Sequence, residues 1–100
     1  EFYNIGSNEN TSNLKICSKL FDVFEKINYK SNSKVKFVKD RPGHDGRYAL
    51  NSNKIKNNLK WKASTNIDEG LYKTVKWYIK NKLYFRSLKK IDIIKRLGLN

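Results

Sequence analysis

A small mixed α/β domain, with short strands alternating with amphipathic helices, is what this sequence predicts. Three observations carry that reading. Phe2-Tyr3-Asn4-Ile5 and the alternating run Val35-Lys36-Phe37-Val38-Lys39 are built from the aromatic and β-branched residues that strands favour. Apolar residues at spacings of three and four mark helices over about Asn13–Ile27 and Ile67–Lys82. Gly6, the Asn/Ser-rich stretch from Ser7 to Ser12 and the single Pro-Gly pair punctuate the chain between them.

The elements follow in order. Gly6 stops the first strand, and Thr11 or Ser12 is placed to cap the first helix. That helix gathers Leu14, Cys17, Leu20 or Phe21, Phe24 and Ile27 on one face and turns Lys15, Lys19, Asp22 and Lys26 outward. A loop over Asn28–Ser33 precedes the strand Val35–Val38. Tyr48-Ala49-Leu50 is a second short extended piece. Asn51 or Ser52 caps a brief helix holding Ile55 and Leu59, and Trp61 reads as an anchor packed on the core. Asn66 with Glu69 forms a capping pair for the next helix, whose apolar face is Leu71, Thr74, Val75 and Tyr78, widened by Trp77 and Ile79. Residues Leu83 to Leu99 read as a further basic helix edged by Leu88, Ile91, Ile94 or Lys95, and Leu97, with Gly98 as its stop.

With 100 residues the chain is one domain or a piece of one, and its core is small. It begins Glu-Phe-Tyr and contains no methionine, as a part of a longer protein would. No apolar run approaches the roughly 20 residues of a membrane helix, and no signal peptide is recognisable. Cys17 lies on an apolar helical face, so it reads as a small buried hydrophobe in a reducing compartment. One His and one Cys cannot form a tetrahedral metal site alone. No glycine-rich phosphate loop, no cysteine nucleophile paired with a base and no paired acidic residues for acid–base work are present, so no catalytic set is expected. The net charge of +13 has two readings: attraction to a polyanion, or a general Lys and Asn bias spread through the chain.

The densest chemistry lies in Asp40-Arg41-Pro42-Gly43-His44-Asp45-Gly46-Arg47-Tyr48, which holds the only His and the only Pro of the chain. Pro42 fixes its own φ and Gly43 tolerates a positive one, so a rigid turn is expected at a strand end. An arginine matches phosphate oxygens two at a time. Arg41 would neutralise a diphosphate, and His44 would bond the same group or an adjacent ribose. Asp40 or Asp45 would orient Arg41 or hold His44 in one tautomer, and Asn8, near a strand end, would read a polar group. The plainer alternatives are a surface turn with solvated charges, with Asp40 and Asp45 as local caps, Arg47 as an outward charge and Tyr48 in the core.

Tyr3-Asn4-Ile5-Gly6, Asp40–Asp45 with Arg47-Tyr48-Ala49, Lys54-Ile55, Leu59-Lys60-Trp61-Lys62, Gly70-Leu71, Thr74-Val75 and Trp77-Tyr78 occur in an order that resembles the C-terminal part of the dTDP-glucose 4,6-dehydratase family, extended short-chain dehydrogenase/reductases of the NAD-dependent epimerase/dehydratase group. The resemblance covers about residues 1–82. It implies a nucleotide-sugar-binding portion over 1–82 and a basic helical tail over 83–100. It implies an intact NAD-dependent lyase that turns dTDP-glucose into dTDP-4-keto-6-deoxyglucose and water for deoxysugar synthesis, cytoplasmic and homodimeric. NAD, the Tyr-x-x-x-Lys pair and the acidic dehydration residues belong to the family's N-terminal Rossmann domain. The implied substrate-binding residues here are Arg41, His44 and Asn8; none is implied as catalytic, cofactor-binding or metal-binding. This chain alone is therefore expected to be inactive.

The sequence departs from the family in places. The turn after the first strand runs Asn8-Glu9-Asn10, which leaves the nucleotide-holding Asn open between two positions. Gly46 stands where Arg is frequent, Lys60 where Gly is usual and Ala63 where Pro is usual. A lysine in a left-handed position at Lys60 would cost about 1 kcal/mol. The rival readings are a small basic nucleic-acid-binding domain using Trp61, Tyr72, Trp77, Tyr78, Tyr84 and Phe85 as stacking platforms, and a degenerate fragment that folds but binds nothing.

Overall fold

The computed structural model describes residues 1–45 and 48–88. Four helices follow one another: α1 (Asn13–Lys26), α2 (Asn53–Leu59), α3 (Ile67–Lys80) and α4 (Lys82–Arg86). Gly46, Arg47 and the tail positions Ile91, Ile94, Lys95, Leu97 and Gly98 lie outside the described residues.

The helix boundaries follow local chemistry. The Ser12 hydroxyl accepts the Lys15 N–H at 3.2 Å and caps α1. At its other end Asn28 takes φ 55°, its N–H donates to the Glu25 carbonyl at 3.1 Å, and the Tyr29 N–H donates to the Phe24 carbonyl at 2.8 Å. This is the paired-bond stop that usually takes glycine, with asparagine in its place. Its apolar clasp is present too, since the Phe24 and Tyr29 rings lie 5.5 Å apart. α2 ends on Lys60 at φ 56°, ψ 21°, the left-handed position expected of a missing glycine. α3 is capped by Asn66, whose side-chain oxygen accepts the Glu69 N–H at 2.9 Å.

The expected strands are not formed: no strand occurs among the described residues. Alternation makes a segment suited to a sheet, but a ladder needs a neighbour to exchange backbone hydrogen bonds with. Here the first segment is held by side chains instead. Asn4 Nδ2 donates to the Asn51 carbonyl at 3.4 Å, Asn8 Oδ1 accepts the Ser52 N–H at 2.9 Å, and Lys54 Nζ reaches Glu1 Oε2 at 2.8 Å and the Phe2 carbonyl at 3.0 Å. The described architecture is therefore helical, and the strand half of the mixed α/β expectation is not met.

α1 packs against α3, with Val23 and Val75 buried between them and Lys19 Nζ bridging to Asp68 Oδ1 at 2.6 Å. Val23 was absent from the expected face, whereas Leu14, which was on it, is 54% exposed. The rest of the expected face is partly covered, with Cys17, Leu20, Phe21, Phe24 and Ile27 in place, and the covered stripe widens to take in Ile16 and the buried Val23. Cys17 is only partly covered. Ile55 is buried as the third apolar core residue, while Leu59 and Trp61 are exposed, so Trp61 is no core anchor. Thr74, Tyr78 and Trp77 on the expected face of α3 are also exposed. α4 ends at Arg86, short of the long helix expected from Leu83, and it straddles the 82/83 boundary. Its rings continue the packing of α3: Tyr84 lies 5.6 Å from Trp77 and Phe85 lies 4.9 Å from Tyr78.

Candidate functional site

The site begins with a backbone hydrogen bond. The His44 N–H donates to the Arg41 carbonyl at 3.3 Å and closes a four-residue turn with Pro42 and Gly43 at its centre. Gly43 sits at φ 68°, the positive value that the third position of such a proline turn demands. The turn geometry brings the Cα atoms of its first and fourth residues to within about 7 Å. Those residues are Arg41 and His44, so the two candidate anion-binding side chains start from neighbouring points on one rigid loop.

Asp40 locks this arrangement from the side. One carboxylate oxygen, Oδ1, accepts the Arg41 backbone N–H at 2.9 Å and contacts His44 Nδ1 at 2.6 Å. The hydrogen bond with His44 holds the Asp40 carboxyl below its ordinary value of 3.8, with the Arg41 N–H and the nearby positive charges adding to the effect. Of the two aspartates the sequence offered, Asp40 is therefore the one on the histidine. Asp45 instead lines a cavity of about 560 Å³ with Tyr48 and the Asn10–Leu14 stretch at the start of α1. Among the described residues no carboxylate pairs with the Arg41 guanidinium.

Asn8 lies elsewhere. It adopts φ 63°, a left-handed conformation that asparagine tolerates better than most residues. Both ends of its amide are taken: Oδ1 by the Ser52 N–H, and Nδ2 by Asn53 Oδ1 at 3.3 Å. Asn10, the other asparagine of that turn, is the one that lines the cavity beside Asp45 and Tyr48. Sequence spacing left the two positions alike; in the fold Asn8 sits against the start of α2 and Asn10 against the cavity beside Asp45.

Two further features bear on chemistry. The spacing Tyr-x-x-x-Lys occurs twice on α3 and its end, at Tyr72–Lys76 and Tyr78–Lys82. Lys76 Nζ lies over the Tyr72 ring at 5.1 Å from its centre, as Lys26 Nζ does at 5.5 Å, which is a cation–π contact with the ring face. The Tyr78 ring packs on Phe85. Nor do the described residues form a dinucleotide cradle, which needs a strand entering a helix through a glycine-rich turn. The aromatic side chains proposed as nucleic-acid platforms are largely turned on one another, with Trp77, Tyr78, Tyr84 and Phe85 in successive ring contacts.

Comparison with known proteins adds a consistent picture. The pattern of the family described as GDP-mannose 4,6 dehydratase matches residues 1–74. The chain is 37% identical over 92 residues to the dTDP-glucose 4,6-dehydratase of Salmonella typhimurium, covering 89% of this chain and 26% of that protein. It is 39% identical over 88 residues to that of Haemophilus influenzae, covering 81% and 26%. The crystal structure of dTDP-glucose 4,6-dehydratase from Bacillus anthracis in complex with NAD superposes with a TM-score of 0.72 at 34% identity, over 87% of this chain and 26% of that one. The chain thus spans between 26% and 29% of the length of the curated relatives it matches.

Proposed function

The chain belongs to the GDP-mannose 4,6 dehydratase family, and from that premise we propose that it is the C-terminal, substrate-binding portion of a dTDP-glucose 4,6-dehydratase. The observation that carries this reading is the Arg41–His44 turn, which starts an arginine and a histidine side chain from the two ends of one hydrogen-bonded turn centred on Pro42 and Gly43. Arg41 neutralises the diphosphate of a dTDP-sugar, and His44 bonds the same group or the adjoining ribose. Asn8 ties its segment to the start of α2, while Asn10 and Thr11 line the cavity beside Asp45.

On this reading residues 1–82 form the nucleotide-sugar-binding portion and 83–100 a basic tail that begins by packing on α3. NAD and the reacting groups belong to a Rossmann domain, since the described residues of this chain do not fit a dinucleotide. The intact enzyme is then an NAD-dependent lyase, homodimeric and cytoplasmic. Among the described residues no helix is long and apolar enough to cross a membrane.

The test is an NMR titration of the chain with dTDP. Two charge-assisted hydrogen bonds, each worth about 2 kcal/mol, place the dissociation constant at roughly millimolar. Saturable shifts confined to the Arg41–His44 turn, weakened roughly thirtyfold by Arg41→Ala, are expected. Absence of such shifts up to about 20 times that concentration would overturn the grip.

A further inference from the structure

The geometry points to Asp40 as a positioning residue for His44, fixing the imidazole with its Nδ1–H on the Asp40 carboxylate and its Nε2 free for the ligand. The inference rests on the reading of this turn as a diphosphate grip and deepens it.

An unrestrained neutral imidazole prefers its proton on Nε2, the wrong nitrogen for contact with a carboxylate through Nδ1. At 2.6 Å from Asp40 Oδ1, Nδ1 must carry the proton, because an ionised carboxylate only accepts. The same oxygen holds the Arg41 backbone N–H at 2.9 Å. One carboxylate therefore sets both the ring orientation and the start of the turn. The side chain of Asp40 is 76% exposed and that of His44 only 30%. Burial contributes little to Asp40, so the placement follows from these two bonds. Nε2 is left with no described partner of its own, whether as an acceptor for a hydroxyl or, when the ring is charged, as a donor to phosphate.

His44 is the only histidine of the chain, so its ring nitrogens are read without ambiguity. The experiment is a long-range ¹H–¹⁵N spectrum of the labelled chain at about pH 8, above the ordinary imidazole range, for the wild type, Asp40→Ala and Asp40→Asn. The three proteins are then titrated with inorganic pyrophosphate and with dTDP. The wild type is expected to show the Nδ1–H tautomer, Asp40→Ala to revert to Nε2–H, and Asp40→Asn to retain Nδ1–H through its remaining acceptor oxygen. At about pH 8, where the neutral ring offers Nε2 as an acceptor, dTDP affinity is expected to fall roughly fivefold in Asp40→Ala, equivalent to one hydrogen bond from the ribose hydroxyl, and much less in Asp40→Asn. Inorganic pyrophosphate, with no such hydroxyl, is expected to show no fall. An unchanged tautomer in Asp40→Ala overturns the inference, as does an altered tautomer with unchanged dTDP affinity. A wild type with the Nδ1–H tautomer that binds neither anion overturns the grip itself and leaves Asp40 as the residue that sets the ring. The amide spectrum of α1 and α3 in each variant separates these outcomes from a loss of fold.

Discussion

Two single residues sit in backbone conformations that decide their substitution outcomes. Lys60 occupies the left-handed position that ends α2, at φ 56°. Glycine there removes the clash of a Cβ with the neighbouring carbonyl, so Lys60→Gly is expected to stabilise the chain by about 0.5–1 kcal/mol, seen as a higher urea midpoint at unchanged m. Gly43 is the converse case. At φ 68° a side chain is strained even though nothing lies within 4 Å of the added Cβ. Gly43→Ala should cost about 1 kcal/mol and weaken dTDP binding, because the strain is relieved by opening the Arg41–His44 turn. Both positions were legible in the sequence, the first as a lysine in place of a helix-stop glycine and the second as a Pro-Gly pair. Asp40 was legible only as one of two aspartates; the 2.6 Å contact chooses it. Its pKa gives the pH dependence a sign. A carboxyl held below 3.8 in the folded chain stabilises the turn above that value, and the contribution is lost as pH falls through the lower folded value. Acidification to below the ordinary carboxylate value of 3.8 should therefore release the His44 ring and broaden its resonances, with little change between about pH 5 and 6 from this group.

At the scale of elements, the α1–α3 pair holds the structure, and packing outweighs charge within it. Val23 and Val75 are 7% and 6% exposed, whereas the Asp68 end of the Lys19–Asp68 bridge is 70% exposed. Removing buried methyl groups costs about 0.8 kcal/mol each before any cavity is counted, while an exposed ion pair contributes at most about 1 kcal/mol and is screened by salt. Val75→Ala is thus expected to lower stability by about 2 kcal/mol at any ionic strength. Lys19→Ala should lower it by less than about 1 kcal/mol and become silent in high salt, a contrast that paired urea denaturations at two salt concentrations resolve. The sequence located α1 and α3 to within two residues because capping is local: Ser12, Asn66 and Glu69 act within one turn. It placed most of the covered stripe of α1 but named the exposed Leu14 and omitted Val23, because periodicity fixes that a stripe exists but not which of its members a neighbour covers most. It also expected strands at Phe2–Ile5 and Val35–Val38, where the alternation is real and the pairing partner is not supplied by the described residues. The end of α1 was placed to within a residue, but its left-handed stop was not legible, since Asn28 carries no glycine signal.

The whole molecule exposes far more surface than its mass requires. A monomeric globular protein of 11.8 kDa should present about 5,900 Å² to solvent, and this chain presents 9287 Å². The excess is apolar where strands were expected, with Phe2 94% exposed, Phe37 80% and Ile5 67%. An apolar cleft of about 690 Å³ also opens between α1 and α3, lined by Leu20, Phe24, Val75 and Tyr78. Apolar surface of this kind marks a face made for another body. Under the proposed function that body is the Rossmann domain, and Phe2, Ile5 and Phe37 form sheet residues once backbone partners are supplied. This gives a prediction that the isolated chain and the assembled enzyme answer differently. Phe37→Glu replaces an exposed side chain, so it should change the stability of the isolated chain by no more than about 0.5 kcal/mol. Placed in a chimera, with this chain substituted for the matching quarter of the Bacillus anthracis enzyme, the wild-type sequence is expected to give NAD-dependent dehydration of dTDP-glucose. The isolated chain with NAD should give none. Phe37→Glu in the chimera should abolish activity through loss of soluble, NAD-bound protein, because a charge without a partner is then carried into an apolar contact. If the chimera tolerates Phe37→Glu with full activity, the exposed face is not the one that meets the Rossmann domain. If the isolated chain dehydrates dTDP-glucose, the assignment of the reacting groups to another portion of the protein is wrong.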